Sequence, residues 1–319
     1  MTPYYQNYDH GITCIDTEQM RPGLAACYLL RSGERHAFVD CGTALSAPGI
    51  LKVLAAKGVS AEQVDYVLPT HVHLDHAGGA GTLMRLFPNA QLVAHPRAAR
   101  HLIDPAKLIE GATAVYGAQA VRAMYGEIVP APESRLIVAP VDQEGGCRLD
   151  FNGRELLFLD APGHARHHYV IWDAASRGLF SGDTFGISYR EFDGPRGAFL
   201  IPTTTPVQFE PEAWLQTLDR LMALQPEQVY LTHYGRVGEV PRLVEDLRRE
   251  LSAYQRIARQ YADVPDRHAR LVEALTAHTL HLAADHGSLG TEDARTLLRF
   301  DMELNAQGLE VWLDRSGAR

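Results

Sequence analysis

The sequence predicts an α+β fold, a four-layer αβ/βα sandwich of two face-to-face sheets with helices outside, followed by a helical extension. Three observations carry this. Short apolar runs alternate with amphipathic segments up to about residue 238. Both halves of that stretch run from strand-rich to helical, as two sheets with outer helices require. Beyond Glu239 the strand signals stop, and Arg, Glu, Leu and Ala recur at helical spacing. The chain has 319 residues, 46% hydrophobic and 22% charged, an ordinary balance for a soluble globular protein. The expected division is a domain over 1–238, interrupted by a helical insertion at 97–129, and an extension over 239–319.

Taken in order, residues 12–15, 25–30 and 36–39 read as short strands, the third ending in the turn Val39-Asp40-Cys41-Gly42. Helical periodicity follows over 48–57 and stops at Gly58. The run Val64-Asp65-Tyr66-Val67-Leu68-Pro69 reads as a buried strand. Gly78-Gly79 begins a helix reaching Leu86, and 91–94 is the next strand. From Pro96 to about Val129 only helical segments occur, which makes this insertion a candidate lid. Strands resume at 135–138, 148–151, 155–159, 169–173 and 178–181. An irregular stretch rich in Gly, Pro and Thr covers 187–206. An amphipathic helix over 210–224 and a short strand over 228–231 precede the helical tail.

Composition excludes several partners. Formal charge is −9, both signs are interspersed, and no basic stripe exceeds Arg248-Arg249, so nucleic acid and anionic membrane are not expected partners. Cys14, Cys27, Cys41 and Cys147 form no CxxC pair and read as reduced thiols. The N-terminus lacks the basic and apolar regions of an export signal, and no apolar run approaches the roughly 20 residues of a membrane span. A cytoplasmic location is expected.

The segment Thr70-His71-Val72-His73-Leu74-Asp75-His76-Ala77-Gly78-Gly79 carries the chemistry. Neutral imidazole and carboxylate are ligands of borderline divalent metals, zinc above all. In an extended segment, residues two apart point the same way, so His71 and His73 can grip one ion. Asp75 and His76 then turn toward an adjacent position, and the Gly-Gly pair lets backbone pass close by.

This pattern resembles the T-H-x-H-x-D-H-x-G-G motif of the hydrolase branches of the metallo-β-lactamase superfamily. Three later segments are similar to that family's remaining ligand motifs, in the same order: Ala161-Pro162-Gly163-His164, Ser181-Gly182-Asp183-Thr184, and Leu231-Thr232-His233-Tyr234-Gly235. The resemblance covers roughly residues 10–238. It implies one metal held by His71, His73 and His164, a second by Asp75, His76 and His233, and Asp183 shared. Asp75 and Asp183 are then expected to be catalytic as well as ligating. Two divalent ions, zinc first and iron or manganese next, would acidify a bridging water to a pKa of about 7 and polarise the scissile group. His73 stands where the oxygen-reducing diiron branch carries a carboxylate, which favours hydrolysis.

The implied activity is hydrolysis of an ester-type bond in a small molecule: phosphodiester, carboxylic ester, lactone or thioester. An iron-dependent redox or sulfur enzyme and a non-catalytic binding module are the alternatives. Glyoxalase II-like thioesterases read P-G-H-T-x-G-H, whereas this chain has Pro162-Gly163-His164-Ala165-Arg166-His167-His168. Lactone-cleaving relatives place a tyrosine where this chain has Gly186, the nearest being Tyr189. Tyr189 and Tyr234 are the expected substrate contacts, while Arg190 and Arg196 read as solvated. His167 and His168 stand near a ligand, but strand alternation is expected to turn at least one away. His278, His281 and His286 read as helix packing or solvent contacts. The apolar content of the insertion (Leu102, Leu108, Tyr116, Met124 and Tyr125 among it) suits a wall for an apolar or mixed substrate, or a homodimer interface.

Overall fold

The computed structural model describes residues 4–141, 145–204, 207–287 and 291–317. Strands β1 (Tyr5–Tyr8), β2 (Ile12–Asp16), β3 (Ala26–Ser32), β4 (Arg35–Val39), β5 (Val64–Leu68), β6 (Gln91–Ala94) and β7 (Leu136–Val138) form one sheet in sequential order. Strands β8 (Cys147–Phe151), β9 (Arg154–Asp160), β10 (Tyr169–Asp173), β11 (Gly178–Gly182), β12 (Gln228–Leu231) and β13 (Gly235–Val237) form the second, also in sequential order. The first four strands pair antiparallel; β4 to β7 run parallel, so the ends of β4 and β5 open on the same edge.

The helices are α1 (Ala47–Ala56), α2 (Leu74–Ala77), α3 (Ala80–Leu86), α4 (Ala99–Ile103), α5 (Ala106–Tyr116), α6 (Ala118–Tyr125), α7 (Pro211–Met222), α8 (Val240–Gln260), α9 (Arg267–His286) and α10 (Thr291–Ser316). No described helix is long and apolar enough to cross a membrane.

The chain clusters into two compact units. The first comprises 1–160, 167–182 and 228–236, and holds both sheets. Strand β3 shows why it is stable. Its alternate side chains Tyr28 and Leu30 enter the core between the sheets, with Phe158, Tyr169 and Phe180. Cys27 and Leu29 enter the core beneath α1 and α3, with Phe38, Ile50 and Phe87. Strands buried on both faces read as continuous apolar runs, and each large side chain so buried contributes about 1.5–3 kcal/mol. Pro48 lies in the first turn of α1, and Gly58 follows it at φ 66°.

The second unit comprises 161–166, 183–227 and 237–319. Helix α8 buries an amphipathic stripe of Leu243, Val244, Leu247, Leu251, Tyr254 and Ala258, the i, i+4, i+8 spacing of a packed face. The Tyr254 hydroxyl meets Thr279 Oγ1 of α9 at 3.2 Å. Asn305 of α10 accepts the Thr204 backbone N–H at 2.6 Å.

The sandwich and the C-terminal helices match expectation; three local readings do not. β1 and β13 are strands that the sequence did not announce, because both are short, polar edge strands. The helix expected from Gly78 starts at Leu74 for one turn and resumes at Ala80. Within 187–206, Arg190–Phe192 forms a 3₁₀ turn and Ile187 bridges Ile201; Thr205 and Pro206 lie outside the described residues.

Candidate metal centre

In the first unit, the loops after β4 and β5 build a buried polar hub on Asp40. Its side chain is 1% exposed and its backbone is left-handed at φ 54°, a conformation Asp tolerates better than most residues. Asp40 Oδ1 accepts the Thr70 backbone N–H at 2.7 Å and the Thr70 hydroxyl at 2.9 Å. Its Oδ2 accepts the Thr232 hydroxyl at 2.6 Å and His76 Nδ1–H at 2.8 Å. Four donors on one buried carboxylate hold three chain segments together. Gly79 is needed beside it: a Cβ there would lie 2.7 Å from the carbonyl oxygens of Cys41 and Thr43.

The tautomers follow from these partners. The Thr70 hydroxyl gives its proton to Asp40, so it accepts from His71 Nδ1 at 3.2 Å. His71 Nε2 is then the acceptor for His73 Nδ1–H at 2.9 Å. His233 Nδ1–H donates to the Leu24 carbonyl at 2.8 Å. A carbonyl only accepts, so neutral His233 presents a lone pair at Nε2, 3.2 Å from Asp75 Oδ2. His76 Nε2 likewise faces Asp75 Oδ2 at 3.7 Å. Asp75, His76 and His233 thus offer ligand atoms within 4.8 Å of one another.

In the second unit, His164 Nδ1–H donates to the Thr203 carbonyl at 2.9 Å, and Nε2 faces Asp183 Oδ2 at 3.3 Å. Gly163, at φ 141°, lets the chain run against α7, where a Cβ would sit 2.4 Å from Trp214 Cβ. Trp214 in turn packs edge-on to the His164 ring at 5.9 Å and donates from Nε1 to the Thr184 carbonyl at 2.6 Å.

This donor set fits divalent metal. Three imidazoles have one nitrogen fixed by a carbonyl or carboxylate, the arrangement that orients metal-ligating histidines. Their other nitrogens confront carboxylate oxygens, and two acceptors at about 3.3 Å are reconciled by a cation between them.

Both His167 and His168 lie beside His71, with ring centroids 6.0 and 4.6 Å away. This corrects the expectation that alternation turns one aside: they precede β10 in a turn, where a two-residue period does not apply. Tyr234 is buried, its hydroxyl 3.4 Å from Asp16 Oδ2, and burial pushes that hydroxyl well above the usual tyrosine range. Tyr189 is buried and donates to Asp301 Oδ1 at 3.0 Å. His278 and His286 are bonded to Glu250 Oε2 and the Gly197 carbonyl, and His281 is exposed, as expected.

Over the first unit's site, Leu74 of α2 packs with Val121 and Tyr125 of α6 and against Tyr116. Burial, and next the charge of Asp75, push the Tyr116 hydroxyl up to about 12 and Tyr125 higher still. The sequence motifs do not by themselves mark Asp40, Thr70 and Thr232 as a hub. The strand-end Asp of Val39-Asp40-Cys41-Gly42 was a usable signal; the carbonyls of Leu24 and Thr203 carry none.

Residues 20–233 match the metallo-beta-lactamase superfamily. A metallo-beta-lactamase fold-containing protein of the archaeon Sulfurisphaera tokodaii is 25% identical over 291 residues, spanning 90% of this chain and 91% of that protein. A hydroxyacylglutathione hydrolase of a Synechococcus strain is 30% identical over 208 residues, 65% of this chain and 62% of that protein. A solved metallo-beta-lactamase family protein of Thermus thermophilus superposes with a TM-score of 0.62 at 21% identity, covering 99% of this chain and 93% of that one. With the motif order, the sandwich and its C-terminal helices in agreement, this chain belongs to the metallo-beta-lactamase superfamily.

Proposed function

We propose that this chain is a cytoplasmic, metal-dependent hydrolase of an ester-type bond in a small molecule. His71, His73 and His164 would hold one divalent ion, Asp75, His76 and His233 a second, and Asp183 both. The carrying observation is the tautomer pattern: Asp40, the Leu24 carbonyl and the Thr203 carbonyl each fix one nitrogen of a ligand imidazole and turn the other toward a carboxylate. Two divalent ions bound there, zinc first, would supply Lewis acidity and would acidify water to a pKa of about 7. The protein's share is to orient the ligands through the Asp40 hub. The similarity to hydroxyacylglutathione hydrolases supports acyl esters and thioesters as the first substrates to try. The same reading assigns 97–129 as the wall of the site, since Val121, Tyr125 and Tyr116 pack with Leu74, the residue before Asp75, and divides the chain at 238.

The test is metal analysis with turnover of chromogenic esters, lactones, thioesters and phosphodiesters under zinc, manganese or iron. About two equivalents of metal and turnover of at least one ester class are expected. Metal near zero after purification with added zinc would sink the reading. Coloured protein that consumes oxygen would replace hydrolysis by redox chemistry.

A further inference from the structure

At the opposite end of β4 from the Asp40 hub, the first unit contains a cavity of about 360 Å³. That size falls within the range of small-molecule sites, about 300–1,000 Å³. Its polar lining includes Asn7, Thr13, Arg31, His36, Lys57 and Gln63, with Leu29 and Val59 as apolar wall. The strand register brings these together: Arg31 pairs with His36 across β3 and β4, and Asn7 with Thr13 across β1 and β2. Lys57 reaches in from just beyond α1, where its Nζ donates to Asn7 Oδ1 at 2.7 Å.

Three features of this cavity stand out chemically. His36 is only 4% exposed, and its buried Nδ1 has no hydrogen-bond partner among the described residues. An orphaned buried polar atom is costly and calls for an explanation. Lys57 makes its hydrogen bond to a neutral amide, and the Arg31 guanidinium makes no ion pair among the described residues. One carboxylate, Glu34, also lines the cavity, so two fixed cations stand against one anion in a chain of net charge −9. The basic groups feel one another. Burial and then Arg31 pull Lys57 down; burial, then Arg31 and Lys57, pull His36 down despite the opposing Glu34, with Arg35 adding to the same side. Cations gathered around a recess with fewer carboxylates than cations are relieved by an anion.

We propose that this cavity binds a small organic oxyanion, a carboxylate or phosphate monoester with a short apolar body, distinct from the substrate of the metal centre. The anionic group would lie between Lys57 and Arg31, within reach of His36, and the body against Leu29 and Val59. Lysine and arginine together serve this role because an ammonium and a planar guanidinium both donate to oxyanion oxygens.

Isothermal titration of the full, zinc-supplemented chain tests this, with butyrate, butyl phosphate and inorganic phosphate as probes and butyramide as the uncharged control. At least one anion should saturate at one equivalent per chain, with butyramide silent. Affinity should fall at least tenfold in the double variant Arg31→Met/Lys57→Met, which leaves every proposed metal ligand in place. If that variant does not fold, Arg31→Met alone, at an exposed residue, should weaken binding at least threefold. Three results overturn the proposal: no saturable binding of any anion, equal binding of butyramide, or anion affinity that survives the substitutions. The last would assign the anion to the metal centre instead.

Discussion

The chain uses histidine in two ways, and the contrast explains which histidines can hold metal. In the Asp40 region, His76 and His233 each give Nδ1–H to a fixed acceptor and turn Nε2 toward Asp75. In the C-terminal helices, histidine nitrogens are instead bonded to glutamates. His278 Nε2 is bonded to Glu250 at 2.6 Å, and His268 has Nδ1 on Glu310 and Nε2 on Glu303, both at 2.8 Å. The first arrangement orients a lone pair; the second builds ion pairs between helices. Residue type is the same, and the partner of the second nitrogen decides the role.

The contrast breaks most visibly at Asp183. Asp183→Ala should remove the oxygen that faces His164, and the fall in activity should exceed the about 10–100-fold typical of losing an outer partner of a ligand. Metal content by elemental analysis should drop together with turnover; activity retained at full metal content would detach Asp183 from the site. Next comes Asp40→Asn, which preserves volume. An amide nitrogen placed toward His76 Nδ1 or the Thr232 hydroxyl puts donor against donor, and His76 responds by moving its proton to Nε2. Metal affinity by chelator competition should fall by about 10–100-fold. Unchanged affinity would mean that His76 orientation does not depend on the hub.

Much of this was legible in the sequence for a physical reason. The candidate ligands sit in short motifs at strand ends, and four of them, His71, His73, Asp75 and His76, fall within the consecutive residues from Thr70 to Gly79. The partners that select the tautomer were less legible. Leu24 and Thr203 act through backbone carbonyls, which any residue supplies, and Asp40 sat in a segment that reads equally as a turn. The edge strands β1 and β13 escaped because YQNY and GRV offer no two-residue apolar period. Strand alternation does not apply to His167 and His168, which precede β10.

A sharper test of the helical region is His278→Gln. Glu250 is 4% exposed at its side chain and is shared between His278 and the half-exposed Arg249. Losing the imidazole leaves a buried carboxylate with one peripheral partner, at a cost of about 1–3 kcal/mol in chemical denaturation. Metal content should not change, and a fall in it would erase the distinction drawn between the two sets of histidines.

The smallest effect belongs to His268, and its pH dependence is the diagnostic. Burial pulls this imidazole down, but its hydrogen bonds to the Glu310 and Glu303 carboxylates outweigh it, so the group ends above its ordinary value of 6.5. A histidine whose affinity for protons rises on folding stabilises the fold while it is protonated in both states. That contribution is fully present below about pH 6.5 and is lost as pH rises through the raised folded value. The side chain is 39% exposed, which limits the gain to the about 0.2–1 kcal/mol of solvent-screened pairs. Denaturation of the wild-type chain and His268→Gln at pH 5.5 and pH 8.5 should therefore show a gap at the lower pH that closes at the higher. A gap of equal size at both values would mean that His268 joins α9 to α10 by packing rather than by charge.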